Sequence, residues 1–187
     1  MTEWYLDIET EGPDPRRDKI LTIQYQSMSG GVLTGSLQVL AEWEWGEKQV
    51  VRSILEKGVL EPTGDFVPVG TRVMDDLAFL MERADRLGLK KFTMEETRRY
   101  WSAKPMVDLA PILGMVQDPN SSGLSVSGAR RREVGSIVSK LYLEGRFPEI
   151  IDLVTRERDE IIALLREARD TLGHVARMKP ASPPPTS

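Results

Sequence analysis

The sequence predicts an α/β fold: a mixed sheet, made of an antiparallel meander of three strands plus shorter parallel strands, flanked by helices. Three observations carry that expectation. Residues 4–40 hold three segments rich in β formers, separated by turn residues. Beyond residue 47, apolar residues recur at helical spacing in runs that end at glycine. Between those runs lie short apolar segments of strand length.

The elements follow in order. Residues 4–10 (W-Y-L-D-I-E-T) read as the first strand, closed by E-G-P-D-P, which cannot remain in a sheet. Residues 19–27 (K-I-L-T-I-Q-Y-Q-S) alternate and form the second strand. Gly30-Gly31 is a turn signal, and residues 32–40 complete the meander. Residues 47–57, apolar at 50, 51, 54 and 55, read as a helix stopped by Gly58. A short strand over 65–69 closes at Gly70, and a second helix over 73–87 stops at Gly88. Residues 106–109 form another short strand, and 117–128, rich in Ser, Gly, Asn and Pro, a loop. Two helices over 130–143 and 148–172 meet at Gly145. Residues 1–172 are thus expected to form one domain, and the Pro-rich residues 173–187 a disordered tail. No internal repeat is visible.

Composition narrows the function classes. A chain of 187 residues with 40% hydrophobic residues can bury a full core. No apolar run approaches the roughly 20 residues that span a bilayer, and the N-terminus lacks a basic segment followed by an apolar one. The absence of cysteine excludes disulfides, zinc–thiolate sites and thiol nucleophiles, and fits a cytoplasmic protein. The net charge of −4 gives no global attraction to nucleic acid, so such binding must rest on local basic patches. The one histidine, His174, lies near the C-terminal tail, which argues against a catalytic histidine.

The candidate site residues are acids in unexpected places. Asp7 and Glu9 are two apart in a strand, so they share a face while Leu6 and Ile8 take the other. Neighbouring carboxylates repel unless a cation neutralises them, and such oxygen donors suit Mg2+ or Mn2+. Asp75 and Asp76 open the second helix, where the macrodipole favours acids. Asp76 shares the face of Val73, Leu80 and Leu87, the side that packs on a sheet, and there a carboxylate needs a compensating partner. In the last helix an apolar stripe runs through Ile150, Leu153, Val154, Ile161, Leu164, Leu165 and Ala168. Glu157 interrupts that stripe, while Asp159 falls on the polar side. A glutamate so placed is either a snorkelling side chain or a ligand.

With these positions in hand, the chain resembles the DEDD superfamily of 3′–5′ exonucleases, which have an RNase H-like fold. It looks nearest to the exonuclease domains and stand-alone homologues of family B DNA polymerases. Leu6-Asp7-Ile8-Glu9-Thr10 resembles the first motif. The segment from Val69 through Gly70, Asp75, Asp76 and Leu77 to Leu80 resembles the second, G-x-N-x-x-F-D-L-x-x-L, without its asparagine and phenylalanine. Lys104-Pro105-Met106-Val107-Asp108-Leu109 resembles the strand before the third motif, and residues 142–152 the stretch leading into it. The third motif, Y-x-x-x-D or H-x-x-x-x-D, departs. An ungapped frame from Gly145 puts Leu153 at the tyrosine and Glu157 at the aspartate; a frame with two extra residues uses Thr155 and Asp159. Neither supplies a Tyr or His general base. The helical stripe favours Glu157.

The resemblance implies a catalytic set of Asp7, Glu9, Asp76 and Glu157, with Asp159 as the alternative to Glu157. It also implies two Mg2+ or Mn2+ ions about 3.5–4 Å apart that clamp the scissile phosphate. In that scheme Asp7 bridges both ions, Glu9 and Glu157 hold the nucleophile-side ion, and Asp76 holds the other. The expected partner is single-stranded nucleic acid, DNA ahead of RNA on the polymerase resemblance, with no membrane and with homo-oligomerisation left open. Basic candidates for phosphate contact are Arg16, Arg17, Lys90, Lys91, Arg98, Arg99, Lys104 and Arg130 to Arg132. Met28, Met74, Met81 and Met106 are expected as core filler. One alternative is a catalytically weak relative that serves as a nucleic-acid-binding or scaffold module. Another, a small-molecule hydrolase on an unrelated scaffold, lacks a nucleophile motif such as G-x-S-x-G.

Overall fold

The computed structural model describes residues 1–111 and 128–177, with side chains for 1–111 and 135–170. Residues 117–127 of the expected loop over 117–128, and the end of the Pro-rich tail, therefore lie outside the described residues, whereas Gly128 already belongs to a helix.

The central strand is β1 (Thr2–Thr10), whose middle, from Tyr5 to Glu9, is buried on both faces. It pairs antiparallel with β2 (Ile20–Ser29) and parallel with β5 (Phe66–Gly70), which in turn runs parallel to β6 (Val107–Asp108). Two short strands, β3 (Val32–Leu33) and β4 (Gln38–Ala41), pair with successive parts of the outer edge of β2. The meander is present, but its third strand is divided. Gly35 takes a positive φ of 70°, a turn in mid-strand that glycine adopts without a Cβ penalty. Gln26 and Ser27 then bond the irregular backbone, through Gly35 O and Thr34 O. In β2 the register slips between Thr22 and Ile20, so Leu21 is the extra residue of a bulge.

Helices cover both faces. On one side, α2 (Glu47–Leu55) and α3 (Val73–Arg86) pack Val50, Val51, Ile54, Leu77 and Leu80 against Leu6, Ile8, Ile23 and Tyr25. A partly buried ion pair ties the two helices, Arg83 Nη2 to Glu47 Oε2 at 2.6 Å. On the other side, α6 (Phe147–Arg177) lays Ile161, Ile162, Leu164 and Leu165 against Tyr5, Met28 and Val69. Farther along, Ile150 and Val154 of α6 join α5 (Gly128–Leu143) around Leu21. Between α5 and α6, Gly145 has φ 70°; its N–H donates to Tyr142 O and that of Arg146 to Leu141 O, a Schellman stop. The mixed sheet with helices on both faces is an RNase H-like α/β architecture.

Two helices were not expected. The single turn α1 (Glu42–Trp45) is too short to show a period. The second, α4 (Met94–Ala103), starts with a capping box between Thr93 and Glu96, but it buries only Tyr100, so its sequence carries no apolar stripe. Among the methionines, Met28 and Met81 are buried as expected, whereas Met74 is exposed. No helix among the described residues is long and apolar enough to cross a membrane.

Lys104, a candidate for phosphate contact, is buried instead. It is only 6% exposed, and its ammonium donates to Glu61 O at 2.9 Å beside the rings of Phe66 and Tyr100. Burial pushes its pKa down to about 8 from an ordinary 10.5, against the opposing pull of Glu61. Between those two values the unfolded chain binds the extra proton, so stability must rise with pH across the window. Below about pH 8 the full cost of the buried charge is present. From pH 7 to 10, unfolding in urea should show wild type gaining on the order of 2 kcal/mol relative to Lys104→Met. Parallel pH profiles for the two would contradict the buried ammonium.

Candidate metal centre

Three of the expected carboxylates converge. Asp7, Glu9 and Glu157 each offer an oxygen, and the three atoms all lie within 4.8 Å of one another. All three residues are buried, at 0%, 4% and 8% exposure.

Each strand or helix delivers its acid by simple periodicity. Along β1, alternate residues put Leu6 and Ile8 into the core beside α2 and α3. Tyr5, Asp7 and Glu9 thus face α6. Along α6 the buried positions Ile150, Val154, Glu157, Ile161 and Leu164 recur at three- and four-residue steps. Two apolar clusters, one around Tyr5 and Ile161 and one around Leu21 and Val154, sit to either side, and Glu157 lies between them. Asp159 points away: it is exposed and pairs with Arg158 at 2.8 Å.

The facing strand is polar on the same side. Gln24 stands opposite Asp7, and Thr22 opposite Glu9. Both are fully buried, with Gln24 Nε2 donating to Thr22 Oγ1 at 2.7 Å. One step on, Gln26 receives Arg158 Nη1 at 2.9 Å, tying β2 to α6 beside the acids. Sequence reasoning passed over Thr22, Gln24 and Gln26. Their alternation was visible, but the register that sets them against Asp7 and Glu9 is a property of the fold.

Asp76 is not in the three-residue group. It is buried in the first turn of α3, whereas its neighbour Asp75 is exposed and bonded by Arg72 Nε at 2.7 Å. The turn that brings α3 in is tight. A Cβ on Gly70 would stand 2.5 Å from Leu6 O, so only glycine lets β5 end against the backbone that precedes Asp7. Arg72 then adopts a left-handed φ of 57°, the one non-glycine residue to do so among those described, with its N–H held by Asp108 Oδ1 at 2.9 Å.

The donor set fits a hard divalent cation. It consists of carboxylate oxygens, without nitrogen or sulfur, on elements locked by packing. A cation between the three acids would offset both their burial and their mutual repulsion.

The basic candidates divide. Lys104 is buried, Lys90 pairs with Glu61 at 2.6 Å and Arg17 with Asp14 at 2.9 Å. Arg16, in the loop after β1, is exposed. The side chains of Arg130 to Arg132 lie outside the described ones.

No protein-family model matches the chain, and no curated protein matches it. Among solved structures it is similar to the apo form of exonuclease I, at a TM-score of 0.39 and 13% identity. That match takes in 60% of this chain and 30% of the other, so the chain spans about a third of that protein's length.

Proposed function

We propose that residues 1–172 form a metal-dependent 3′–5′ exonuclease that hydrolyses phosphodiester bonds in single-stranded nucleic acid, DNA ahead of RNA. The observation that carries the reading is the buried convergence of Asp7, Glu9 and Glu157 on an RNase H-like sheet. The motif resemblance to the DEDD nucleases supports the direction of attack and the use of two ions.

Asp7, Glu9 and Glu157 would supply the oxygens for one cation, and Asp7 together with Asp76 would supply them for a second. The chemistry such ions would supply is polarisation of the phosphate, a lowered pKa of water and stabilisation of the leaving oxygen. The chain's own contribution is a fixed, dry array of acceptors that need no rearrangement as charge develops. Neither Tyr nor His occupies the general-base position of the third motif, where the chain has Leu153 or Thr155. That absence favours a second reading, a catalytically weak nucleic-acid-binding module.

Digestion of end-labelled single strands with Mg2+ or Mn2+ separates the readings. The expected result is stepwise shortening from the 3′ end with release of mononucleotides, stopped by chelator and by a blocked 3′ end. Binding without hydrolysis supports the second reading. Rapid cleavage of a circular single strand would reject an exonuclease.

A further inference from the structure

We infer that Gln24 is a positioning residue of this centre, its amide oxygen accepting a hydrogen bond from water on the cation held by Asp7, Glu9 and Glu157. The inference rests on the metal-centre reading above.

Directly opposed residues of an antiparallel pair share a face, with Cβ atoms about 5 Å apart. Gln24 is so placed against Asp7, and Thr22 against Glu9. The Gln24 side chain has no exposure, so bulk water cannot reach it. Its nitrogen is engaged, donating to Thr22 Oγ1 at 2.7 Å. Its oxygen has no hydrogen-bond partner among the described residues. Gln26, next on the same face, makes the contrast: its nitrogen donates to Gly35 O and its oxygen accepts from Arg158. Of two buried glutamines in one row, only the one facing the carboxylate cluster keeps an oxygen in reserve.

Ionised carboxylates cannot satisfy that oxygen, because they are acceptors only. A hydrated cation can, through a water O–H. The amide adds no charge to a crowded acidic site, and with its nitrogen on Thr22 Oγ1 its oxygen is the end left for the acids. Its role is to orient water, since an amide takes no proton. Outer-shell partners of this kind typically change metal affinity about 10- to 100-fold when removed.

The test uses Mn2+ alone as probe, titrated by the loss of the free-ion electron paramagnetic resonance signal, with melting of the metal-free protein alongside. Gln24→Met keeps the side-chain length and removes both polar atoms. It should weaken Mn2+ binding about 10-fold without lowering the metal-free melting temperature. Equal affinity in wild type and variant would overturn the role of Gln24 while leaving the centre in place. Weaker binding together with a lower metal-free melting temperature would assign Gln24 to packing and also overturn it. If Gln24→Met does not fold, Gln24→Glu restores an oxygen acceptor of the same length and should bind Mn2+ at least as tightly as wild type. Weaker binding by that variant would reject the proposal. No Mn2+ binding by wild type would remove the centre itself, and the inference with it.

Discussion

Asp7→Asn is expected to abolish hydrolysis, with turnover down about 1,000-fold or more, and to leave the fold intact. The side chain is fully buried on the central strand, so no neighbouring group can swing in to replace its charge. Metal-assisted charge stabilisation is worth several kcal/mol in the transition state, and each ~1.4 kcal/mol is a factor of ten in rate. The same change removes one of three carboxylates that crowd within 4.8 Å. In chelator the variant should therefore melt at or above the wild-type temperature, because one like-charge repulsion and one desolvated charge are gone. Turnover by single-turnover assay and melting with and without Mn2+ check both halves. Wild-type turnover in the variant would remove Asp7 from the site.

Glu157→Gln and Asp159→Asn should differ sharply although they lie two residues apart. Glu157 is 8% exposed among the acids of β1, whereas the Asp159 side chain is 62% exposed and pairs with its neighbour Arg158. Glu157→Gln should cut turnover by about 100-fold or more, since it would remove a direct ligand of the proposed cation. Asp159→Asn loses a surface ion pair worth about 0–1 kcal/mol and should keep turnover within about twofold. Kinetics of both at saturating Mn2+ decide between the frames of the third motif. A dead Asp159→Asn with an active Glu157→Gln would mean that the gapped frame is right.

What the sequence revealed, and what it hid, follows from the range of the interactions involved. Strand β1 was legible because alternation alone puts Asp7 and Glu9 on one face. Glu157 was legible because a helix with an otherwise apolar stripe reports its exceptions. Gly70 could be read as a strand end, but its real constraint, the approach to Leu6 O, is visible only with β1 beside it. The division of the third strand at Gly35 depends on a contact with the neighbouring strand, from Gln26, and the burial of Lys104 on a partner distant in sequence, Glu61. Helix α4 had a local signal, Thr93 followed by Glu96, that was outweighed by its nearly all-polar surface. The polar row of Thr22, Gln24 and Gln26 was hidden for a different reason. A strand pattern shows which residues share a face but not which strand that face meets.

The central claim is that Asp7, Glu9 and Glu157 together hold a divalent cation. Anomalous diffraction from crystals grown with Mn2+ tests it most directly. An anomalous peak is expected at about 2.1 Å from one carboxylate oxygen of each of the three residues. Manganese bound elsewhere, with no peak between these three side chains at saturating Mn2+, would contradict it.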